Sequence, residues 1–373
     1  MEELSVEVFQ EIAYGWLESP EDVLNLALTC RTLYRKTLGE FGEENAYDVD
    51  QHRAMGGVGF CVREKWWRAA RMAVERGYGD PNEVWKVAFF ASTSPLEEAC
   101  SHGQVGLVRT LLSHPGVDAT ETILNGLLYA ASSGHADVVS VLLGDPRVVD
   151  QEAAVKKAFR EVCRVGGTDV AGVMLESGLV DPAGDKNIFL RRACLYGNVE
   201  IAAMLMEYDG VDPCARSGEA LGGAAAGGHV DVLRLLLEDE RVDPSANQSH
   251  ALQQAVGMGE AEAVALLLED GRVDPGARGN FAIRTACRRG DTPVLKLLLG
   301  DPRVDPGAEF DTCIRNAARE GREDVVLLLL EDERVDPCAC DNEAMRSAVS
   351  KGHQGVVDLL IAAGVPTPRF VPS

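Results

Sequence analysis

The stretch LLLEDERVDPSANQSHALQQAVGMGEAEAVALLLEDGRVDP, residues 235–275, states one phrase twice. Leu-Leu-Leu-Glu-Asp-x-Arg-Val-Asp-Pro returns after 31 residues, while the sequence between its copies drifts. Outward from there, Val-Asp-Pro stands at Asp181, Asp212, Asp243, Asp274, Asp305 and Asp336, always 31 apart. Asp150 keeps the spacing without its proline, and Asp118 lies 32 before it. A second ladder is glycine: Gly103, Gly134, Gly166, Gly197, Gly228, Gly259, Gly290, Gly321 and Gly352. Nine rungs imply nine repeats. Self-similarity at this period marks a solenoid, whose units cannot bury their apolar faces without neighbours.

Each unit reads as two short helices. The first carries an apolar residue and a small one three later, as in Leu96/Ala99, Leu127/Ala130, Phe159/Val162, Leu190/Ala193, Leu221/Ala224, Leu252/Ala255, Ile283/Ala286, Ile314/Ala317 and Met345/Ala348. That spacing places both on one face, and the small residue admits a close neighbour. The glycine ends this helix because it tolerates positive φ. The second helix opens with an acid in its first turn (Asp137, Asp169, Glu200, Asp231, Glu262, Asp324) or with Pro293. Both choices suit a helix N-terminus. Asp-Pro then forces an extended, turn-like exit.

This pattern resembles the ankyrin repeat. Ala-Val-x-x-Gly-x-x-Glu-x-Val-x-Leu-Leu-Leu at 255–268 matches that family's helix–turn–helix, and Gly134-His135, Gly228-His229 and Gly352-His353 reproduce its Gly-His dipeptide. The period is 31 here rather than the family's usual 33, and the family's Thr-Pro-Leu-His start is absent. The resemblance implies an all-α, ankyrin-type solenoid over 94–367, with shortened hairpin loops between repeats and a tail at 368–373. It also implies binding of a protein through the concave face.

Before the array stands LSVEVFQEIAYGWLESPEDVLNLALTCRTLYRKTL, residues 4–38, which reads as three short helices. Fewer than about 40 residues bury little on their own, so such a module needs a partner or a neighbouring core. It resembles an F-box: Leu4, Ile12, Asp22-Val23 and Leu28-Thr29-Cys30-Arg31 mirror that family's landmarks, with Ser5 where proline is usual. The resemblance implies docking on a Skp-type cullin adaptor through Leu4, Val8, Ile12, Leu17, Val23, Leu26 and Leu28 of a module spanning 1–40. The chain would then be a substrate receptor of a Skp-cullin-F-box ubiquitin ligase. The other reading is a plain helical cap on an ankyrin scaffold or inhibitor with no ligase role. Residues 41–93 read as a linker and a degenerate capping repeat, with Trp66, Trp67 and Trp85 in its core or at the junction.

Composition sets the remaining bounds. The longest aliphatic run, VVLLLL at 325–330, is far short of the about 20 apolar residues of a membrane span. MEELSVEVFQEIAYG is acidic and has no secretory pattern, so cytoplasm or nucleus is expected. A net charge of −23 argues against nucleic acid and anionic membranes. A monomer is expected.

No catalytic motif stands out and no enzyme is expected: Gly56-Gly57-Val58-Gly59 lacks dinucleotide-loop spacing, and neither Gly-x-Ser-x-Gly nor His-Glu-x-x-His occurs. Cys100, Cys163, Cys194 and Cys287 share a first-helix column with Ala131, Ala225 and Ala318 and read as small core residues. Cys338 and Cys340 lack the second pair a metal site needs. No cofactor or metal is expected. His135, His229 and His353 read as loop residues.

Arg160, Arg191, Arg284, Arg315 and Arg346 follow the apolar residue of the first helix. They read as stitching to a neighbouring acid or carbonyl, the alternative being a basic ladder for an acidic partner. The adjacent column varies freely: Tyr129, Glu161, Arg192, Gln254, Thr285, Asn316 and Ser347. With the loop residues Lys186, Arg216, Gln248, Asn280, Phe310 and Asn342, it is expected to face the partner.

Overall fold

A computed structural model describes residues 71, 74–75, 85–88, 91–114, 117 and 120–367. The expected adaptor contacts Leu4, Val8, Ile12, Leu17, Val23, Leu26 and Leu28 lie outside the described residues, as do Trp66, Trp67 and the tail 368–373.

The first described element of the array's N-terminal side is a hairpin, β1 (Trp85–Ala88) and β2 (Ala91–Thr93), paired antiparallel with Trp85 opposite Thr93. It falls within the stretch read as linker and capping repeat. Ser94 then caps α1 (Pro95–Ser101): its hydroxyl accepts from the Glu97 N–H, while the Glu97 carboxylate accepts from the Ser94 N–H at 2.8 Å. This reciprocal pair satisfies two otherwise orphaned donors.

The described residues fall into two compact units, up to Val162 with Gly167–Val180, and Cys163–Gly166 with everything from Asp181 onward. The first holds α1, α2 (Val105–Ser113), α3 (Thr120–Ser132), α4 (Ala136–Leu143), the single turn α5 (Pro146–Val149), most of α6 (Glu152–Val165) and α7 (Thr168–Glu176). Here α1 packs on α3, and α4 on both α2 and α7.

The second unit is six helix pairs: α8 (Gly184–Leu195) and α9 (Val199–Met206), α10 (Ala215–Ala226) and α11 (Val230–Glu238), α12 (Ala246–Met258) and α13 (Ala261–Glu269), α14 (Ala277–Arg289) and α15 (Thr292–Gly300), α16 (Ala308–Glu320) and α17 (Glu323–Leu330), α18 (Ala339–Lys351) and α19 (Gln354–Ala362). First helices stack on first helices and second on second, each packing chiefly on its neighbours.

Every apolar/small pair read from the sequence is buried, from Leu96 and Ala99 to Met345 and Ala348. A Leu or Val so buried contributes about 1.5–3 kcal/mol, so the interfaces between helix pairs carry the stability. All nine ladder glycines sit at positive φ, between 67° and 92°. This left-handed residue ends the first helix and turns the chain back at no steric penalty.

Cys100, Cys163, Cys194 and Cys287 are buried core residues, as expected. Burial drives the Cys163 thiol up to about 12, and that of Cys100 higher still, so neither is a nucleophile at neutral pH. No described helix is long and apolar enough to cross a membrane.

Candidate protein-binding surface

The shortened hairpins expected between repeats are not strands. Five of the six Val-Asp-Pro copies bury their valine, Val180, Val211, Val242, Val273 and Val304, and Val335 of the last is half-buried. The aspartate Oδ1 accepts the N–H two residues on, at 2.9–3.1 Å, in all six copies. The chain then makes three consecutive left-handed residues: 185–187, 216–218, 247–249, 278–280, 309–311 and 340–342, with φ from 51° to 79°. The third residue's N–H closes the turn on the carbonyl four before it, at 2.9–3.3 Å.

L-residues resist this conformation by roughly 1–2 kcal/mol each, and normally only single residues adopt it. Only Gly218 and Gly279 among the eighteen positions are glycine, so side chains must hold the turns. Two sets do so. The third residue accepts the N–H of the next Val-Asp-Pro aspartate: Asn187 from Asp212 at 3.2 Å, Ser249 from Asp274 at 2.9 Å, Asn280 from Asp305 at 2.8 Å, Asp311 from Asp336 at 2.8 Å.

The second set is the arginine column of the first helix. Arg191 donates to the Lys186 carbonyl, Arg284 to that of Arg278, Arg315 to those of Phe310 and Glu309, and Arg346 to that of Cys340, at 2.9–3.2 Å. Gln253 stands in for arginine and donates to the Gln248 carbonyl at 2.6 Å. Gly222 occupies the column where the turn below ends in Gly218, which needs the least support.

These arginines also reach the following repeat: Arg191 to Glu219 at 2.7 Å, Arg284 to Glu309, and Arg315 to Glu343 at 2.5 Å. The stitching reading is therefore the one the geometry follows for Arg191, Arg284 and Arg315. It was incomplete, because the same side chains also hold the turns.

A second stitch was missed altogether. The arginine of Asp-x-Arg-Val is clamped on its own aspartate, Arg147 on Asp145, Arg241 on Asp239, Arg272 on Asp270, Arg303 on Asp301 and Arg334 on Asp332, at 2.6–2.7 Å. Its other nitrogens donate to two carbonyls of the preceding repeat. One belongs to the Val of Val-Asp-Pro, or for Arg147 to Val117 of Val-Asp-Ala, at 2.8–3.2 Å. The other lies at the end of the second helix, at 2.8–3.4 Å. Hydrogen bonds from these arginines hold the five aspartates below the usual carboxylate range.

His135, His229 and His353 are structural too. Nε2–H donates to the carbonyls of Ser101, Leu195 and Arg319 at 2.9–3.1 Å, covering the end of the preceding first helix.

What remains for a partner is the tip of each left-handed turn. The central residues are Lys186, Ser217, Gln248, Gly279, Phe310 and Asp341, every one exposed. Phe310 is 78% exposed, the most of any large apolar side chain described. Lys186, Gln248 and Phe310 are among the residues expected to face the partner. Arg216, also exposed, opens its turn and pairs with Glu219 at 3.0 Å.

Asn280 and Asn342 end their turns half-buried, and Asn280 points its amide oxygen at the next repeat. The strict 31-residue step from Lys186 would have reached Ser217 and Asp341 instead.

Of the helix column, Arg192, Gln254, Asn316 and Ser347 are half-buried on α8, α12, α16 and α18, and Arg192 lies over the Tyr196 ring. Thr285 is a correction: at 6% exposure it offers a partner nothing. It lies on α14, which packs against α12 on one side and α16 on the other. Tyr129, 40% exposed, and half-buried Glu161 belong to the first unit.

Among the described residues no three His, Cys, Asp or Glu side chains are grouped to hold a metal ion. The family model for ankyrin repeats, in its three-copy form, matches residues 190–279 and 283–368. No curated protein matches the chain.

Proposed function

With ankyrin repeats over 190–279 and 283–368 as the premise, we propose that this chain is a non-enzymatic protein-binding module. Its partner rests on the turn tips and the exposed flank of the first helices. One observation carries the reading: a turn built the same way six times presents a different side chain each time, lysine, serine, glutamine, glycine, phenylalanine and aspartate. Strained backbone persists where surrounding contacts over-determine it, and it clusters at binding sites. A rigid tip presents its side chain with little entropy left to lose on binding.

The finer part of the proposal concerns residues 1–40. Read as an F-box, they couple the array to a Skp-type adaptor, and the bound protein becomes the substrate of a cullin-type ubiquitin ligase. The support is the sequence LALTCRTLYR and its upstream landmarks. The alternative is a scaffold or inhibitor that binds its partner without the ligase.

Two comparisons test this. The intact protein and a tip variant (Lys186→Glu, Phe310→Asp, Asp341→Lys) are each immobilised in extract from the source cells. A protein retained by the first and lost from the second, at equal melting temperature, is the expected result; identical retained sets would sink the proposal. A Skp-type adaptor should be pulled down by the intact protein and not by Ile12→Asp/Leu17→Asp. If the adaptor binds neither, the chain is a scaffold.

A further inference from the structure

In a chain of net charge −23, two places on the first helices of the last three repeats set cations together. α14 carries Arg278, Arg284, Arg288 and Arg289 and no acid. Where α16 meets α18, a shallow depression is lined by Arg319, Glu343, Arg346, Ser347, Ser350 and Lys351. Its one carboxylate is already engaged, since Glu343 pairs with Arg315 at 2.5 Å. The three cations Arg319, Arg346 and Lys351 are exposed. Arg319 spends one nitrogen on Asn316 and reaches Glu320 at 3.6 Å. Arg346 spends one on the Cys340 carbonyl.

A helix C-terminus favours a cation in its last turn, which accounts for Arg319 on α16 and Lys351 on α18 taken singly. It does not account for Arg346, mid-helix, nor for all three facing one concavity with two serine hydroxyls. Three cations share this concavity with one carboxylate, which Arg315 already engages, so a further anion meets net positive charge there.

We propose that this depression docks an acidic segment, rich in Asp and Glu, of a partner protein. The carboxylates meet Arg319, Arg346 and Lys351, and Ser347 and Ser350 donate to the remaining oxygens. The net charge of −23 on the whole chain selects against long polyanions. A short run of acids can instead sit on the positive patch and leave it again. The assignment rests on the array being a protein-binding module and names the chemistry of what it binds.

The probe is a fluorescein-labelled decapeptide of alternating Asp and Glu, titrated by anisotropy with the full-length protein at about 50 mM salt. Saturable binding is expected, weakened at least about tenfold at 300 mM salt by screening. The variant Arg319→Glu/Arg346→Glu/Lys351→Glu should weaken it by a similar factor. The control Arg234→Glu/Lys296→Glu, on exposed second-helix positions, should stay within about twofold, because rim charges act locally.

Absence of saturable binding by the intact protein overturns the proposal, as does equal loss in the two variants. So does displacement of the peptide by phosphatidylserine vesicles or a DNA duplex at lower concentration than by unlabelled peptide. Should the triple variant melt early, Lys351→Glu at the exposed helix end replaces it, with a threefold or greater loss expected and no change overturning. If the turn-tip variant loses its captured protein while the decapeptide never binds, the array still binds protein and only the acidic partner is wrong. If the decapeptide binds here and no capture depends on the tips, the tip reading fails and this surface stands.

Discussion

At the scale of single residues, the arginine of Asp-x-Arg-Val decides most. Its planar fork takes the aspartate on one side and leaves donors for two carbonyls of the preceding repeat, a geometry lysine cannot copy. Hydrogen bonds to charged groups contribute about 1.5–3 kcal/mol, and Arg272 is 44% exposed at its side chain, which places it at the lower end. Arg272→Met is therefore expected to lower unfolding free energy by about 1–2 kcal/mol in urea titration, and Arg272→Lys to recover less than half.

The pH dependence has a fixed sign. The paired aspartates Asp145, Asp239, Asp270, Asp301 and Asp332 have folded values depressed by their arginines. Their contribution is present above the unfolded value near 4 and is lost as pH falls through the lower folded one. Melting of the intact protein should thus drop below about pH 4, and Arg272→Met should flatten part of that drop. The column was legible at Arg241, Arg272, Arg303 and Arg334. Its role was not, because a carbonyl acceptor leaves no mark in the sequence.

At the scale of elements, the helices were readable and the joints between them were not. Apolar spacing, the glycine ladder and the first-turn acids each express local chemistry, and each holds in the structure. The left-handed turn expresses no local preference: Glu309, Phe310 and Asp311 are poor residues for it. Its stability comes from Arg315, further along α16, and from the Asp336 N–H one repeat away. Sequence propensity therefore pointed elsewhere. Burial raises the Asp311 carboxyl above the usual range, and the hydrogen bond it accepts from the Asp336 N–H works against that rise.

Replacing a strained tip by glycine removes the steric penalty and adds back chain entropy. Phe310→Gly should accordingly raise stability by about 0.5–1 kcal/mol while abolishing capture of the partner. Calorimetry and retention measured on one preparation separate the two. A variant that binds normally and melts higher would show that the tip serves no partner.

At the scale of the whole molecule, each repeat of the second unit packs chiefly on its neighbours, so stability adds up by interfaces. Removing residues 339–373 uncovers the faces of α16 and α17 on which α18 and α19 pack. That truncation should lower the urea midpoint and leave the earlier repeats folded, seen as retained hydrogen-exchange protection on α10–α13. Protection lost throughout would mean the unit folds as one block.

The joints recur unchanged at four consecutive steps, from Arg241 to Arg334: one arginine, one aspartate and two carbonyls, 30 and 35 residues back. A gene segment encoding one period can be duplicated or dropped by unequal recombination, and the new neighbours will meet through the same atoms. Each such event lengthens or shortens the array by a whole repeat and installs or deletes one tip. A lineage carrying this chain can thus change what it grips by splicing in a side chain already tested elsewhere in the array, without inventing a new joint.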